Sequence, residues 1–319
     1  MKIRLQLFLI GILVFTSLNT VQAQQDEQYT QFMYNKLRYN PAFAGSDGKP
    51  VIGVVARNQW IGIEGAPKSQ ILNFDMPLAG DRAGIGINLT RAQVGMTQNI
   101  TTDFAYAYRF DWLNGYFSGG LSASMRHIST DFTQARPTQE EDPSIPSGMQ
   151  SKVVPNFGAG VYYHSKTFYL GLSIPRFLKT NIDLSDDGGT ISREVQHYYL
   201  MGGVVIGDEG VKLFPQALLK YTPNGPFDAD LNLSFIFLER IIAGATYRVG
   251  GSRQNSFGES LDALLSIFLT ENVLLGLSYD ITLSELKRQT DGSVELSLRF
   301  TMSGDSSKAP RRIIDPRYF

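Results

Sequence analysis

Three histidines, His127, His164 and His197, are the only imidazoles in the 319 residues, and there is no cysteine. His127 and Ser129 form a His-x-Ser pair. On the outer face of a membrane barrel such a pair could cleave lipid esters, with imidazole as general base and hydroxyl as nucleophile. That chemistry needs an Asn or Asp on an adjacent strand to orient the ring, and the sequence offers no compelling one. Asp183, Asp186 and Asp187, followed by Gly188, could offer carboxylate oxygens to a cation. Their spacing is not that of an EF-hand loop, and a solvated acidic loop is the commoner use of such a run. No glycine motif of the phosphate-cradling type occurs. Gly84 with Gly86 and Gly119 with Gly120 fall inside strand-like segments, where they relieve crowding or permit bends. The expectation is a protein with no catalytic residues, no cofactor and no metal site.

The elements that carry these residues must then be found. The chain is 43% hydrophobic and 12% aromatic but only 18% charged, with a formal net charge of −1. This balance excludes a disordered polymer, a disulfide scaffold, a Cys-ligated metal site and a dedicated nucleic-acid binder. Lys2 and Arg4 precede an apolar run from Leu5 to Leu18, and Val21, Gln22 and Ala23 supply a small-x-small cleavage pattern. Residues 1–23 therefore read as a secretory signal, with the mature chain beginning at Gln24. Beyond it no apolar run approaches the ~20 residues of a membrane helix.

The hydrophobicity has a period of two. Val294, Leu296, Leu298, Phe300 and Met302 share one face, and Ser293, Glu295, Ser297, Arg299 and Thr301 the other. Val273, Leu275, Leu277, Tyr279 and Ile281 likewise oppose Gly276, Ser278, Asp280 and Thr282. Read this way, the chain predicts strands over 51–59, 68–77, 83–93, 98–111, 115–129, 153–164, 167–176, 195–206, 211–222, 227–237, 240–249, 259–269, 273–283 and 292–302. Connections alternate: most odd ones are long and the even ones are brief. An outer-membrane barrel with its amino end in the periplasm needs that parity, with long external loops and short periplasmic turns. A soluble sandwich also alternates, but its outer face would be crowded with charge. Here the polar face is Gly, Ser, Thr and Asn with a few isolated charges. Trp112, Tyr116, Tyr162, Tyr163, Tyr169, Tyr198 and Tyr199 lie near strand ends, as interfacial girdles would. The fold expected is all-β, an antiparallel transmembrane outer-membrane β-barrel of about 14 strands over 51–302.

Two flanking segments remain. Residues 24–50 are expected as a periplasmic N-terminal segment that packs at the periplasmic mouth or inside the lumen. Asn40 before Pro41 is biased away from helix, so its second half should be turn-rich. Residues 303–319 read as a periplasmic tail whose Arg311, Arg312, Arg317, Tyr318 and Phe319 could bind a partner protein through charge-assisted bonds and apolar anchors.

The segment Gln28-Tyr-Thr-Gln-Phe-Met-Tyr-Asn35, followed by Tyr39-Asn40-Pro41-Ala-Phe-Ala-Gly45-Ser46, resembles the Q-F-M-x-N … Y-N-P-A-x-A-G opening of the PorP/SprF family. Arg57-Asn-Gln59-Trp60-Ile-Gly62-Ile-Glu-Gly65-Ala-Pro67 is similar to that family's R-x-Q-W-x-G-x-x-G-A-P stretch. The resemblance implies a non-enzymatic outer-membrane barrel of the type IX secretion system. Its partners would be outer-membrane lipid, periplasmic components of that machine, and secreted or surface cargo such as gliding adhesins. In this reading Trp60–Pro67 either folds over the lumen or places Trp60 as an interfacial anchor. The competing function is a diffusion porin or a transporter of small hydrophobic molecules, because a lumen of this strand number could stand open.

Overall fold

The computed structural model describes residues 27–78, 82–134, 148–183, 194–207, 210–223, 225, 227–250 and 258–302. Alternating segments with turn residues between them form hairpins, and the hairpins close on themselves. The strands are β1 (Val51–Asn58), β2 (Lys68–Pro77), β3 (Ala83–Val94), β4 (Thr97–Trp112), β5 (Gly115–Asp131), β6 (Met149–Ser165) and β7 (Phe168–Ile174). They continue as β8 (Tyr198–Val204), β9 (Val211–Tyr221), β10 (Asp228–Phe237), β11 (Ile241–Val249), β12 (Ser260–Thr270), β13 (Val273–Thr282) and β14 (Ser293–Thr301). Each pairs antiparallel with its sequence neighbours, and β1 pairs with β14 from Val51↔Thr301 to Asn58↔Val294, closing a 14-stranded barrel.

The faces divide as the period requires. On β13, Leu277, Tyr279 and Ile281 point outward and are about half exposed, whereas Ser278 and Asp280 are 1% exposed. A continuous outward surface of Leu, Ile, Val and Phe belongs against hydrocarbon, because closure pairs each strand on both sides and leaves no open sheet edge. Trp112, Phe117, Tyr163 and Phe168 cluster on the outside at the short-turn end, with Trp112 at 5.6 Å from Phe117 and 5.8 Å from Tyr163. Two of the short turns carry non-glycine residues in the left-handed region, Leu113 with Asn114 and Leu238 with Glu239. That is the backbone of a tight primed hairpin.

The strands depart from the sequence-based spans at the loop end. β5 runs on to Asp131 and β6 begins at Met149, four residues earlier than hydropathy places it. There the alternation fades into Ser129, Thr130, Gln150, Ser151 and Lys152, while backbone pairing continues. β7 and β8 are shorter than expected, and Pro175, which lacks an N–H, follows the end of β7.

A second correction concerns the aromatics. Tyr162, Tyr169 and Tyr199 are not girdle residues: they point inward and are 0%, 2% and 4% exposed. Tyr116 is also turned inward, its ring 5.6 Å from that of His164. Position near a strand end does not distinguish a membrane-facing ring from a lumenal one; parity along the strand does.

Candidate functional site

A 14-stranded cylinder leaves more interior than its own side chains fill. Here the remainder is occupied by the chain itself. Residues 28–47 lie inside the barrel as a plug made of a 3-10 turn (Phe32–Tyr34), one helical turn, α1 (Lys36–Tyr39), and a second 3-10 turn (Pro41–Phe43). Of the mouth and the lumen, the two places open to this segment, the structure uses the lumen. The described part of the segment thus lies in the barrel rather than in the periplasm.

The wall recognises the plug largely through its backbone. The Glu295 carboxylate accepts from the N–H groups of Thr30 and Gln31, each at 2.9 Å. Ser173 donates to the Tyr39 carbonyl at 2.6 Å, and Asn40 donates to the Val161 carbonyl at 2.9 Å while its Oδ1 accepts from Ala42 N–H. Arg109 donates from its two terminal nitrogens to the carbonyls of Ala44 and Gly45, both at 2.5 Å. Gly45, at φ +68°, makes the left-handed turn that aims both carbonyls at one guanidinium. Buried backbone groups must find partners, and these contacts supply them for a segment too irregular to satisfy itself.

Glycines in the wall let the plug approach. A Cβ on Gly84 would overlap the Ala44 carbonyl, on Gly120 the Pro41–Ala42 backbone, and on Gly160 the Asn40 side chain. The inward tyrosines grip the rest. Tyr39 packs edge-on to Tyr199 at 5.3 Å and Phe43 edge-on to Tyr162 at 5.4 Å, while the Lys36 ammonium lies 4.3 Å from the Tyr169 ring centroid. Burial pushes the Lys36 amine down from its ordinary value to about 7, partly opposed by Asp47.

The lumenal charges, expected as isolated, are connected. Seven consecutive strands, β9 to β14 and then β1, carry Lys220, Asp230, Arg248, Asp262, Asp280, Glu295 and Arg57 on their inward faces. Lys220 and Arg248 bind the two oxygens of Asp230 at 2.6 and 2.7 Å. Arg248 then reaches Asp262 and Asp280 at 3.6 and 3.7 Å. Arg57 pairs with Asp280 at 2.5 Å and with Glu295 at 3.1 Å. The plug caps this chain of charges, since Thr30 donates its hydroxyl to Asp280 at 2.8 Å and accepts from Arg57 at 3.1 Å. Sequence reasoning missed the network because its members lie on seven strands and only closure brings β1 beside β14. The available signal was a charge on each polar face at a similar distance from the strand's loop end.

The loop end is narrowed further by the segment after β7. Ile182 packs on the lumenal residues Ile128 and Val154, and Glu194 accepts from Asn156 at 2.7 Å and lies 3.3 Å from Arg126 and 3.5 Å from Arg176. The first long loop behaves differently. Ile61 exchanges hydrogen bonds with the 291–292 backbone at 2.8 Å, and Trp60 donates its N–H to Ser293 Oγ at 3.1 Å, so the loop runs along the rim rather than across the lumen. Trp60 (φ +52°), Gly62 (φ +97°) and Gly65 (φ +73°) are its left-handed positions, and Gln59 N–H closes it on the Pro67 carbonyl at 2.9 Å.

His127 faces outward on β5 between Ile100 and Val153 of the flanking strands. No carboxylate stands directly across from it, and Ser129 hydrogen-bonds the Gln98 carbonyl. His164 is buried in the lumen between Tyr116 and Tyr162, and His197 stacks on Tyr199. The structure does not bring the three imidazoles together. The Asp183 carbonyl accepts from Lys152 at 2.9 Å; Asp186, Asp187 and Gly188 lie outside the described residues. So do residues 1–23 and the tail residues Arg311, Arg312, Arg317, Tyr318 and Phe319.

No curated protein matches the sequence. Among solved structures, the chain is similar to the CymD monoaromatic hydrocarbon channel, with TM-score 0.51 and 12% identity over 86% of this chain and 94% of that one. It also matches Omp33 of Acinetobacter baumannii with TM-score 0.47 and 7% identity, over 80% of this chain and 98% of that one. At such identity the CymD likeness establishes the outer-membrane barrel fold alone. The sequence model of the family described as type IX secretion system membrane protein PorP/SprF matches residues 21–300. The chain is an outer-membrane β-barrel and belongs to the PorP/SprF family.

Proposed function

We propose that this barrel is a non-enzymatic scaffold of type IX secretion, closed to diffusion, that links periplasmic machinery to the secretion or surface retention of cargo such as gliding adhesins. The observation that carries this reading is the filled lumen. Residues 28–47 contact most of the inner wall, and their fit depends on wall glycines and on lumenal Glu295 and Arg109 that bind the plug backbone. A diffusion porin needs water-lined space where this barrel places Ala42, Phe43 and Tyr162. The outward His127–Ser129 pair lacks an orienting partner opposite it, which favours the non-enzymatic reading.

The periplasmic contacts are assigned to the carboxyl-terminal peptide. β14 ends at the short-turn end of the barrel, so the chain leaves it on the periplasmic side, where Arg311, Arg312, Arg317, Tyr318 and Phe319 would dock a partner. Affinity purification from native membranes tests both parts. Periplasmic and lipoprotein components of the secretion machine should co-purify with the full chain and be lost when residues 310–319 are deleted. Retention of every component by the deletion would remove the tail from the account, and purification of the barrel alone would remove the scaffold.

A further inference from the structure

We infer that the plug enters the barrel from its external end, so that Glu27 is reached from the cell exterior while the last strand ends at the periplasm. The inference rests on the barrel orientation used above and goes beyond it. The plug has a direction that can be read from its contacts. Tyr29 packs on Val55 and Ile71, and Thr30 and Gln31 bind Arg57, Asp280 and Glu295, all in the loop-side half of β1, β2, β13 and β14. Asn35 then meets Asn73 midway along β2, and Leu37 meets Gly86 in the turn-side half of β3. Ala44 and Gly45 meet Gly84 and Arg109 near the turn end, Asp47 pairs with Arg299 at 2.5 Å, and Pro50 accepts from Met302 where β14 ends.

The segment therefore descends from the loop end to the turn end and passes directly into β1. Short turns face the periplasm and long loops the exterior. Glu27, the first described residue, is held at 2.6 Å by Arg38, which also donates to Thr90 in the loop-side half of β3, and it is still partly open to solvent.

The native chain has no cysteine, so single cysteines report topology cleanly. Glu27→Cys, Leu113→Cys and Met302→Cys are probed with a membrane-impermeant maleimide on intact and permeabilised cells, with folding of each variant checked by heat-modifiable migration. Labelling of Glu27→Cys on intact cells, with Leu113→Cys and Met302→Cys labelled only after permeabilisation, is the expected result. Glu27→Cys labelled only after permeabilisation, or in neither condition, overturns the inference. Leu113→Cys labelled on intact cells would instead overturn the orientation itself. If Glu27→Cys fails to fold, a short hydrophilic epitope inserted ahead of Glu27 decides the matter. Antibody binding to intact cells supports the inference, and binding only after permeabilisation overturns it.

Discussion

Arg57 and Glu295 face each other directly across the seam where β1 closes on β14, 3.1 Å apart, and the same carboxylate binds the backbone N–H groups of Thr30 and Gln31. One side chain thus joins barrel closure to plug docking. Truncating Glu295 leaves Arg57 its second carboxylate, Asp280, but strands the buried N–H groups of Thr30 and Gln31, and an unsatisfied buried donor costs about 1–3 kcal/mol. Glu295→Ala is expected to destabilise the folded barrel by that order, read as a lower temperature for loss of the folded gel band. Glu295→Gln should lose less. Arg57→Ala combined with Glu295→Ala should cost less than the sum of the two, because each single variant already loses the Arg57–Glu295 pair.

Gly84 and Gly160 give a test of the plug that is independent of charge. A side chain at either collides with Ala44 or Asn40, not with another strand's ladder alone. Gly84→Val and Gly160→Val should displace the plug and make it sensitive to added protease. In a variant lacking residues 28–47 the same substitutions should have little further effect on the barrel. An equal loss of folded protein in both backgrounds would place the constraint in the sheet instead.

Lys36 makes plug docking pH-dependent. Its amine titrates near 7 in place and at 10.5 when free, so between these values the undocked state binds more protons and docking strengthens as pH rises. Below about pH 7 both states are protonated and the full penalty of burying the charge remains. Protease sensitivity of the plug should fall from pH 7 to pH 10, and Lys36→Met should flatten that dependence.

Two tryptophans report the membrane position. Trp112 lies outward in the aromatic cluster at the turn end, whereas Trp60 sits on the rim loop. With brominated lipids, the Trp60→Phe variant, which keeps Trp112, should be quenched strongly, and Trp112→Phe weakly. Equal quenching would argue against the placement of the lipid-facing band.

The strands were legible because hydropathy of period two survives wherever one face meets lipid; the pattern of Leu277, Tyr279 and Ile281 against Ser278 and Asp280 needs no tertiary information. Where both faces carry polar residues, as at Ser129–Asp131 and Gln150–Lys152, the pattern is blank although pairing continues. The site was legible only in part. The Asn40-Pro41 and Gly45 motif marks the plug, but nothing local says that Arg109 and Gly160, far along the chain, receive it. Arg57 and Glu295 are 238 positions apart, and their meeting follows from barrel closure.

The central claim, that this is a closed scaffold and not a pore, is tested most directly by conductance of the purified protein in planar bilayers. The intact chain should give no large steady current, and deletion of residues 28–47 should produce one. Large steady conductance from the intact chain would contradict the account.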